Sequence, residues 1–328
     1  MGTVLVTGGA GYIGSHAVKA LRAGGHRVVV FDNLSAGHAA AVGDVTLVKG
    51  DVRDTAQVEA ALRRHAVTAV MHFAALVSVE ESVRAPALYY DHNVRGSLSV
   101  LDAMLAVGVT RLVLSSTCAV YGDPVTMPIN EDHPTNPINA YGASKLTVER
   151  ALAHYAVAYG LRTIALRYFN AAGADPEGKL GEDHDPEVHL IPRAIGAACG
   201  GPSLLVFGDD YPTADGTCQR DYVHVSDLAV GHLQALEALE TGAATRIYNL
   251  GTGSPRSVRE VIRAVERVTG RPVPTELAPR RQGDPAALCA SADRIRRELG
   301  WRPVYGDIDE VVRTAWRWHD THPRGFDG

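Results

Sequence analysis

Three side chains have the types needed for proton transfer: Thr117, Tyr141 and Lys145. The run Tyr141-Gly142-Ala143-Ser144-Lys145 sets a phenol and an ammonium four residues apart. The stretch that follows is helical in pattern, so the two share one helix face. An ammonium beside a phenol stabilises the phenolate and lowers its pKa from about 10. A phenol tuned in this way is a general base for a sugar or alcohol hydroxyl near neutral pH. The chain has only four lysines, Lys19, Lys49, Lys145 and Lys179, so a chance pairing at this spacing is uncommon. Thr117 ends the run Leu114-Ser115-Ser116-Thr117, and strand ends are where ligands meet open α/β sheets. Its hydroxyl either passes a proton and holds the reacting oxygen, or merely satisfies a backbone hydrogen bond.

A glycine-rich turn supplies the partner for such chemistry. Thr7-Gly8-Gly9-Ala10-Gly11-Tyr12-Ile13-Gly14 follows an apolar strand and opens a helix. Gly8 allows a tight turn, Gly11 lets the backbone approach a pyrophosphate, and Gly14 lets helix pack on strand. The free N–H groups and dipole of the helix start favour an anion. Asp32 ends the next apolar run, 18 residues beyond Gly14. A carboxylate there binds the ribose hydroxyls of a dinucleotide and repels a 2′-phosphate, which favours NAD over NADP. The oxidised nicotinamide ring is positive and would lower the Tyr141 pKa further. The alternative for Asp32 is a turn cap with Asn33. Asp51 either reaches the adenine or caps a strand end.

These groups need a scaffold, and the chain outlines one. Apolar runs at 4–6, 27–31, 45–48, 69–73, 111–115 and 163–167 read as strands. Helical patterns at 12–21, 56–64, 94–107 and 146–158 lie between them. Strands that are apolar throughout and alternate with helices predict a Rossmann-type, doubly wound parallel α/β sheet. The rhythm weakens after Asn170, and 173–185 reads as loop. The expected division is an NAD-binding domain over 1–170, with a later contribution near 221–250, and a smaller mixed α/β substrate domain over 171–328.

At 328 residues the chain suits two lobes. With 46% apolar and 21% charged residues it has an ordinary globular composition. A net charge of -5 and the lack of a Lys/Arg block argue against nucleic acid. No apolar run approaches the roughly 20 residues a bilayer span needs, and the N-terminus lacks a signal-peptide pattern. Cys118, Cys199, Cys218 and Cys289 are far apart and predict reduced thiols in the cytoplasm. His184 and His189 are five apart in a Gly/Pro/Asp-rich loop, and no metal is expected there.

Longer blocks extend the resemblance beyond the glycine turn. The runs at 7–16, Asp32-Asn33-Leu34, Gly50-Asp51, His72-Phe73-Ala74-Ala75 and Ser115-Ser116-Thr117-Cys118-Ala119-Val120-Tyr121-Gly122 resemble those of UDP-glucose 4-epimerases. These are members of the extended short-chain dehydrogenase/reductase family. So do Tyr141-x-x-x-Lys145, Arg167-Tyr168-Phe169-Asn170, Phe207-Gly208-Asp209-Asp210, Arg220-Asp221-Tyr222-Val223-His224-Val225 and Arg281-x-Gly283-Asp284. The resemblance covers essentially the whole chain. It implies tightly held NAD, Tyr141 as base, Lys145 as pKa tuner and ribose ligand, and Thr117 as hydroxyl partner. It also implies cofactor contacts from Gly8, Gly11, Tyr12, Ile13, Gly14, Asp32, Asn33, Asp51, Val52, Phe73, Ala74, Ala75, Asn93, Ser115 and Tyr168.

For the UDP-sugar, the resemblance implies contacts from Asn170, His189, Leu190, Leu205, Phe207, Arg220, Tyr222, Arg281, Asp284 and Leu288. Chemistry agrees for the arginines, since a planar guanidinium binds phosphate bidentately. Asp284 suits a ribose hydroxyl, Asn170 a phosphate or sugar oxygen, and Phe207 the flank of a uracil. Val77 stands where some members carry a Lys on the cofactor phosphates. Leu288 stands where some carry a Tyr that narrows the sugar pocket, which predicts room for an N-acetyl group. A 4,6-dehydratase needs an acid–base pair after the active-site Thr, and Cys118-Ala119 do not supply it. A 4-epimerase of another nucleotide sugar, such as a UDP-uronate, stays open, as does an NAD-binding protein without catalysis. The family resemblance further suggests a homodimer.

Overall fold

The computed structural model describes residues 2–281 and 284–327. Gly283, part of one of the blocks above, lies outside them. The first half runs β1 (Thr3–Thr7), α1 (Tyr12–Ala23), β2 (Arg27–Asp32), β3 (Thr46–Lys49), α2 (Thr55–Arg64), β4 (Ala69–His72), α3 (Val79–Arg84), α4 (Pro86–Tyr89), α5 (Gly96–Val107), β5 (Arg111–Thr117), α6 (Ala140–Tyr159) and β6 (Arg162–Tyr168). The second half runs β7 (Asn170–Ala172), α7 (Leu190–Ala198), β8 (Leu204–Phe207), β9 (Gln219–Arg220), β10 (Tyr222–His224), α8 (Val225–Glu240), β11 (Arg246–Leu250), β12 (Arg256–Ser257), α9 (Val258–Thr269), β13 (Thr275–Ala278), β14 (Ala287–Leu288), α10 (Asp293–Leu299) and α11 (Ile308–Thr321).

Seven strands form one sheet in the order β11-β6-β5-β4-β1-β2-β3, and every pairing in it is parallel. The apolar runs are continuous because both faces are covered. Val4 and Val6 pack with Val18 and Leu21 of α1 and Leu228 and Leu236 of α8. Leu5, between them, points the other way, onto Leu62 of α2, Leu101 of α5 and Leu152 of α6. This is the doubly wound arrangement that the pattern predicts. A smaller mixed α/β core gathers α7, α9 and α11 around Ile195, Val206, Val265 and Val312. Three short sheets accompany it: β7 with β10, β8 with β13, and β9 between β12 and β14.

Several element boundaries differ from expectation. β5 runs to Thr117, so that residue belongs to the strand itself. β3 is shifted to Thr46–Lys49; it is a half-exposed edge strand, and Asp51 lies beyond it rather than ending it. α6 starts at Ala140, six residues early, because the Asn139 carboxamide caps it by accepting from Gly142 N at 2.8 Å. A π-helical turn over Tyr90–Arg95 precedes α5. All four cysteines are free thiols. Among the described residues no helix is long and apolar enough to cross a membrane.

Candidate active site

The glycine turn joins β1 to α1 at the centre of the sheet. Gly8 has φ +71, and a Cβ there would lie 2.5 Å from Ala74 N. The loop after β4 makes this crowding, because Phe73 N and Ala74 N both donate to Thr7 O at 2.9 and 3.1 Å. A Cβ on Gly14 would come within 2.1 Å of Gly8 O, so only glycine lets the helix start close on the turn. Gly11 is the N-cap of α1 and has no side-chain cap bond. The first N–H groups of α1 therefore face outward, a fit for a pyrophosphate. Tyr12 is pinned by its hydroxyl to Gly173 O at 2.6 Å, and Ile13 packs on the core beneath.

Asp32 ends β2 and is buried. Its Oδ2 accepts from Ala10 N at 3.0 Å and its Oδ1 from Leu34 N at 2.9 Å. Asp32 thus braces the turn and caps the next residues while each oxygen keeps a lone pair for a ribose hydroxyl. Asn33 follows, with its side-chain oxygen on Ser35 N at 3.0 Å. Asp51 is more fully engaged. Arg53 holds it through Nε at 3.0 Å and Nη2 at 2.6 Å, which pulls its carboxyl well below the usual range. Val52 packs against the core beside it. Asn93 receives Leu76 N at 2.8 Å and donates to Leu76 O and Ser144 Oγ at 3.1 and 3.0 Å. It acts as a buried strut that fixes the loop carrying Phe73, Ala74 and Ala75.

Thr117, Tyr141 and Lys145 lie where β5 ends against the start of α6. Lys145 is buried and donates from Nζ to Ser115 O at 2.9 Å. Burial lowers its pKa to about 8, against the pull of Glu149 one turn below. The Ser115 and Tyr168 hydroxyls bond to each other at 2.5 Å. Thr117 Oγ1 accepts from Ala119 N at 3.1 Å. The backbone bond foreseen as an alternative is present, but it uses only the oxygen and leaves the proton to donate. Tyr141 departs from expectation. Burial raises its phenol pKa, Tyr168 adds to the rise, and the Thr117 hydroxyl pulls the other way. The Lys145 ammonium is bonded to the Ser115 carbonyl instead.

Facing this centre is a cationic end of the second lobe. Arg220 forms an ion pair with Asp284 and donates to Pro285 O at 2.9 Å. Arg281 lies over the Phe207 ring at 3.9 Å. Burial lowers its pKa, and the neighbouring Arg193 and Arg220 charges add to that. Arg193, on α7, was not anticipated; no spacing in the chain links it to the others. Tyr222 pairs with Asn170 across β10 and β7, and Asn170 N donates to Asp221 O at 2.9 Å. Asp221 is itself buried and receives Thr252 N, Gly253 N and Ala290 N at 2.8, 2.9 and 3.1 Å. It locks the strand between Arg220 and Tyr222. Leu288 pairs with Arg220 and, like Cys118, packs against the small buried cluster that includes Phe169. Leu190 opens α7, and Leu205 stands on β8 facing solvent. His189 is the N-cap of α7, and its ring meets Glu182.

Comparisons with known proteins agree with this architecture. The model of the NAD dependent epimerase/dehydratase family matches residues 4–251. The chain is 49% identical to the UDP-glucose 4-epimerase of Halalkalibacterium halodurans over 98% of its own length and 97% of that protein. A crystal structure of UDP-glucose 4-epimerase from Brucella ovis in complex with NAD is 51% identical, with a TM-score of 0.94 over 96% of this chain and 98% of that one. The Bifidobacterium longum UDP-glucose 4-epimerase, solved with NAD+ and UDP, is 39% identical, with a TM-score of 0.93 over 98% of this chain and 99% of that one. A glycine cradle with Asp32, a Thr117–Tyr141–Lys145 centre and these matches together place the chain in the NAD dependent epimerase/dehydratase family.

Proposed function

We propose that the protein is a UDP-glucose 4-epimerase that interconverts UDP-glucose and UDP-galactose through a transient 4-keto sugar. The observation that carries this is the meeting of Thr117, Tyr141 and Lys145 between a dinucleotide cradle and an arginine-rich pocket. Residues 1–170, with a return near 221–250, form the NAD-binding part, and 171–328 the UDP-sugar part. Gly8, Gly11 and Gly14 leave room for the cofactor pyrophosphate, and Asp32 selects NAD. Bound NAD supplies a reversible acceptor for the hydrogen that leaves C4 with its electron pair.

The chain's own residues handle the proton and the grip. Tyr141 takes the proton from the sugar O4 and returns it after the ring has turned. Thr117 donates to the same oxygen and keeps it in reach. In the protein alone, burial holds the Tyr141 proton on. With NAD bound, Tyr141 would release its proton more readily beside the positive oxidised ring, and Lys145 would hold the ribose. Arg220 and Arg281, with Arg193 behind them, hold the diphosphate. Phe207 flanks the uracil, and Asp284 binds its ribose. Few groups hold the hexose, and a loosely held hexose can rotate.

A second activity follows from Leu288. Leucine is smaller than the tyrosine some relatives carry here, so UDP-N-acetylhexosamines are expected to turn over as well. Exposed apolar residues on α6, among them Val157, support a homodimer through α5 and α6. Unpaired cysteines suit the cytoplasm. The deciding experiment mixes the purified protein with UDP-galactose and no added cofactor. Formation of UDP-glucose is expected from retained NAD. No product even with NAD added would move the assignment to another nucleotide sugar, a UDP-uronate first. Product that persists in Tyr141→Phe would remove the phenol from the mechanism.

A further inference from the structure

The loop between β7 and α7 gathers four metal-ligating side chains outside the proton-transfer centre. Glu182, His184, Glu187 and His189 each offer one ligand atom, all within 4.8 Å of one another. Glu182 is buried and the other three are half-buried. Both histidines turn Nδ1 toward the same oxygen, Glu182 Oε1: His184 lies at 3.1 Å and His189 is in close contact. Glu187 closes the far side, at 3.8 Å from His184 Nδ1 and 4.0 Å from His189 Nδ1.

The four ligand atoms lie close enough to converge on one ion. An ion with tetrahedral ligands at about 2.0–2.2 Å has edges of about 3.3–3.6 Å between them. Three of the separations, 3.1, 3.8 (to Glu187 Oε2) and 4.0 Å (to Glu187 Oε1), lie on either side of that range, and the His189–Glu182 contact is shorter than it. Hydrogen bonding satisfies the group only in part: His189 Nδ1 bonds Glu182 and Glu187 Oε1 accepts from Val188 N and His189 N, while His184 Nδ1 faces Glu182 Oε1 at 3.1 Å without a well-aligned hydrogen bond. Charge is also consistent. Two carboxylates balance one divalent cation held by two neutral imidazoles; without the ion the two histidine rings are the partners of the buried Glu182.

We propose that Glu182, His184, Glu187 and His189 form a structural binding site for one divalent cation. Two imidazole nitrogens with two carboxylate oxygens suit zinc and its neighbours cobalt and nickel. They do not suit magnesium or calcium, which take oxygen ligands. Four protein ligands leave no open position, which marks a structural role rather than a catalytic one. The ion ties the loop to the N-cap of α7, the helix that carries Arg193. The same loop touches the cofactor cradle, since the His184 ring meets the edge of Tyr12 at 6.2 Å.

The test uses the full-length protein, stripped with a chelator and titrated with Co2+ and then Zn2+. One Co2+ per chain is expected, with the intense visible bands of a four-coordinate ion, displaced by Zn2+. His184→Gln and Glu187→Gln each remove a ligand. Each is expected to weaken binding by more than the roughly 10–100-fold that loss of an outer partner costs. Equal binding by wild type and a variant combining His184→Gln with Glu187→Gln overturns the proposal. So does a thiolate-to-cobalt band, which would place the ion on a cysteine. A wild-type crystal grown with Zn2+ and measured at the zinc edge needs no variant. An anomalous peak among the four side chains supports the site, and its absence there overturns it.

Discussion

Replacing Glu149 with Gln tests how α6, the helix that carries Tyr141 and Lys145, is held. Glu149 and Arg167 are among the most deeply buried charges, with side chains 2% and 4% exposed. Arg167 Nε lies 3.0 Å from Glu149 Oε1 and Nη2 lies 2.5 Å from Oε2. Ser116, next to Thr117, donates to Oε1 at 2.5 Å. Arg167 also sits over the Tyr121 ring at 4.9 Å. Glutamine keeps the volume but leaves the guanidinium uncompensated, which costs about 3–5 kcal/mol. Urea unfolding followed by circular dichroism measures this across the whole chain. Trp301, Trp316 and Trp318 report only the C-terminal part by fluorescence. The double variant Glu149→Leu with Arg167→Met buries no charge and recovers most of the loss. A single-variant loss under about 1 kcal/mol, or a double variant no better than the single, would refute the pair as the brace between β5, β6 and α6. Activity gives a second readout. Burial lowers the Lys145 pKa and Glu149 raises it, so in Glu149→Gln the ammonium is lost at lower pH and the alkaline limb moves down.

Lys145 also makes stability depend on pH. Its folded pKa of about 8 lies below its ordinary 10.5, so between these values the unfolded chain holds more proton. Unfolding free energy then rises with pH across that window, and the penalty for the buried charge, roughly 3 kcal/mol, is present in full below it. Comparing wild type with Lys145→Met by urea unfolding at pH 7 and pH 10 isolates the effect, and parallel pH profiles would exclude it. Asp32→Asn removes the charge that repels a 2′-phosphate. The preference for NADH over NADPH, measured by fluorescence titration, is expected to fall at least tenfold, about 1.4 kcal/mol. Leu288→Tyr places a larger side chain at the cluster that holds Phe169. The ratio of kcat/KM for UDP-N-acetylglucosamine over UDP-glucose is expected to fall by roughly tenfold or more, and an unchanged ratio would clear Leu288 of any part in sugar range.

What could be read from the chain and what could not follow from the physics of each signal. Val28–Phe31 is legible as a strand because burial on both faces forces an unbroken apolar run, whatever its neighbours. Tyr141 and Lys145 are legible because their spacing lies within one helix, and the glycine turn because three small residues in sequence permit one close approach. Asn139 carried a readable signal, a capping side chain one residue before the helix, which the periodicity over 146–158 overshadowed. Buried charge is different. Arg167, Glu149 and Lys145 look like any surface ions in sequence, because apolar periodicity records which face is buried and never which ion will sit opposite. Their partners are chosen by topology: β6 lies beside β5 and so brings Arg167 over α6. The same holds for Arg220 with Asp284, and for Glu182 and Glu187 with the two histidines. His184 and His189 stand five apart, within metal-ligand spacing, but two histidines in a loop make no site and only the fold of the loop adds the carboxylates. Sequence therefore exposes those parts of a site that are local in the chain. The pKa values that set its chemistry depend on non-local pairs and on burial, which is why the phenol expected to be acidic is, in the folded chain alone, held protonated.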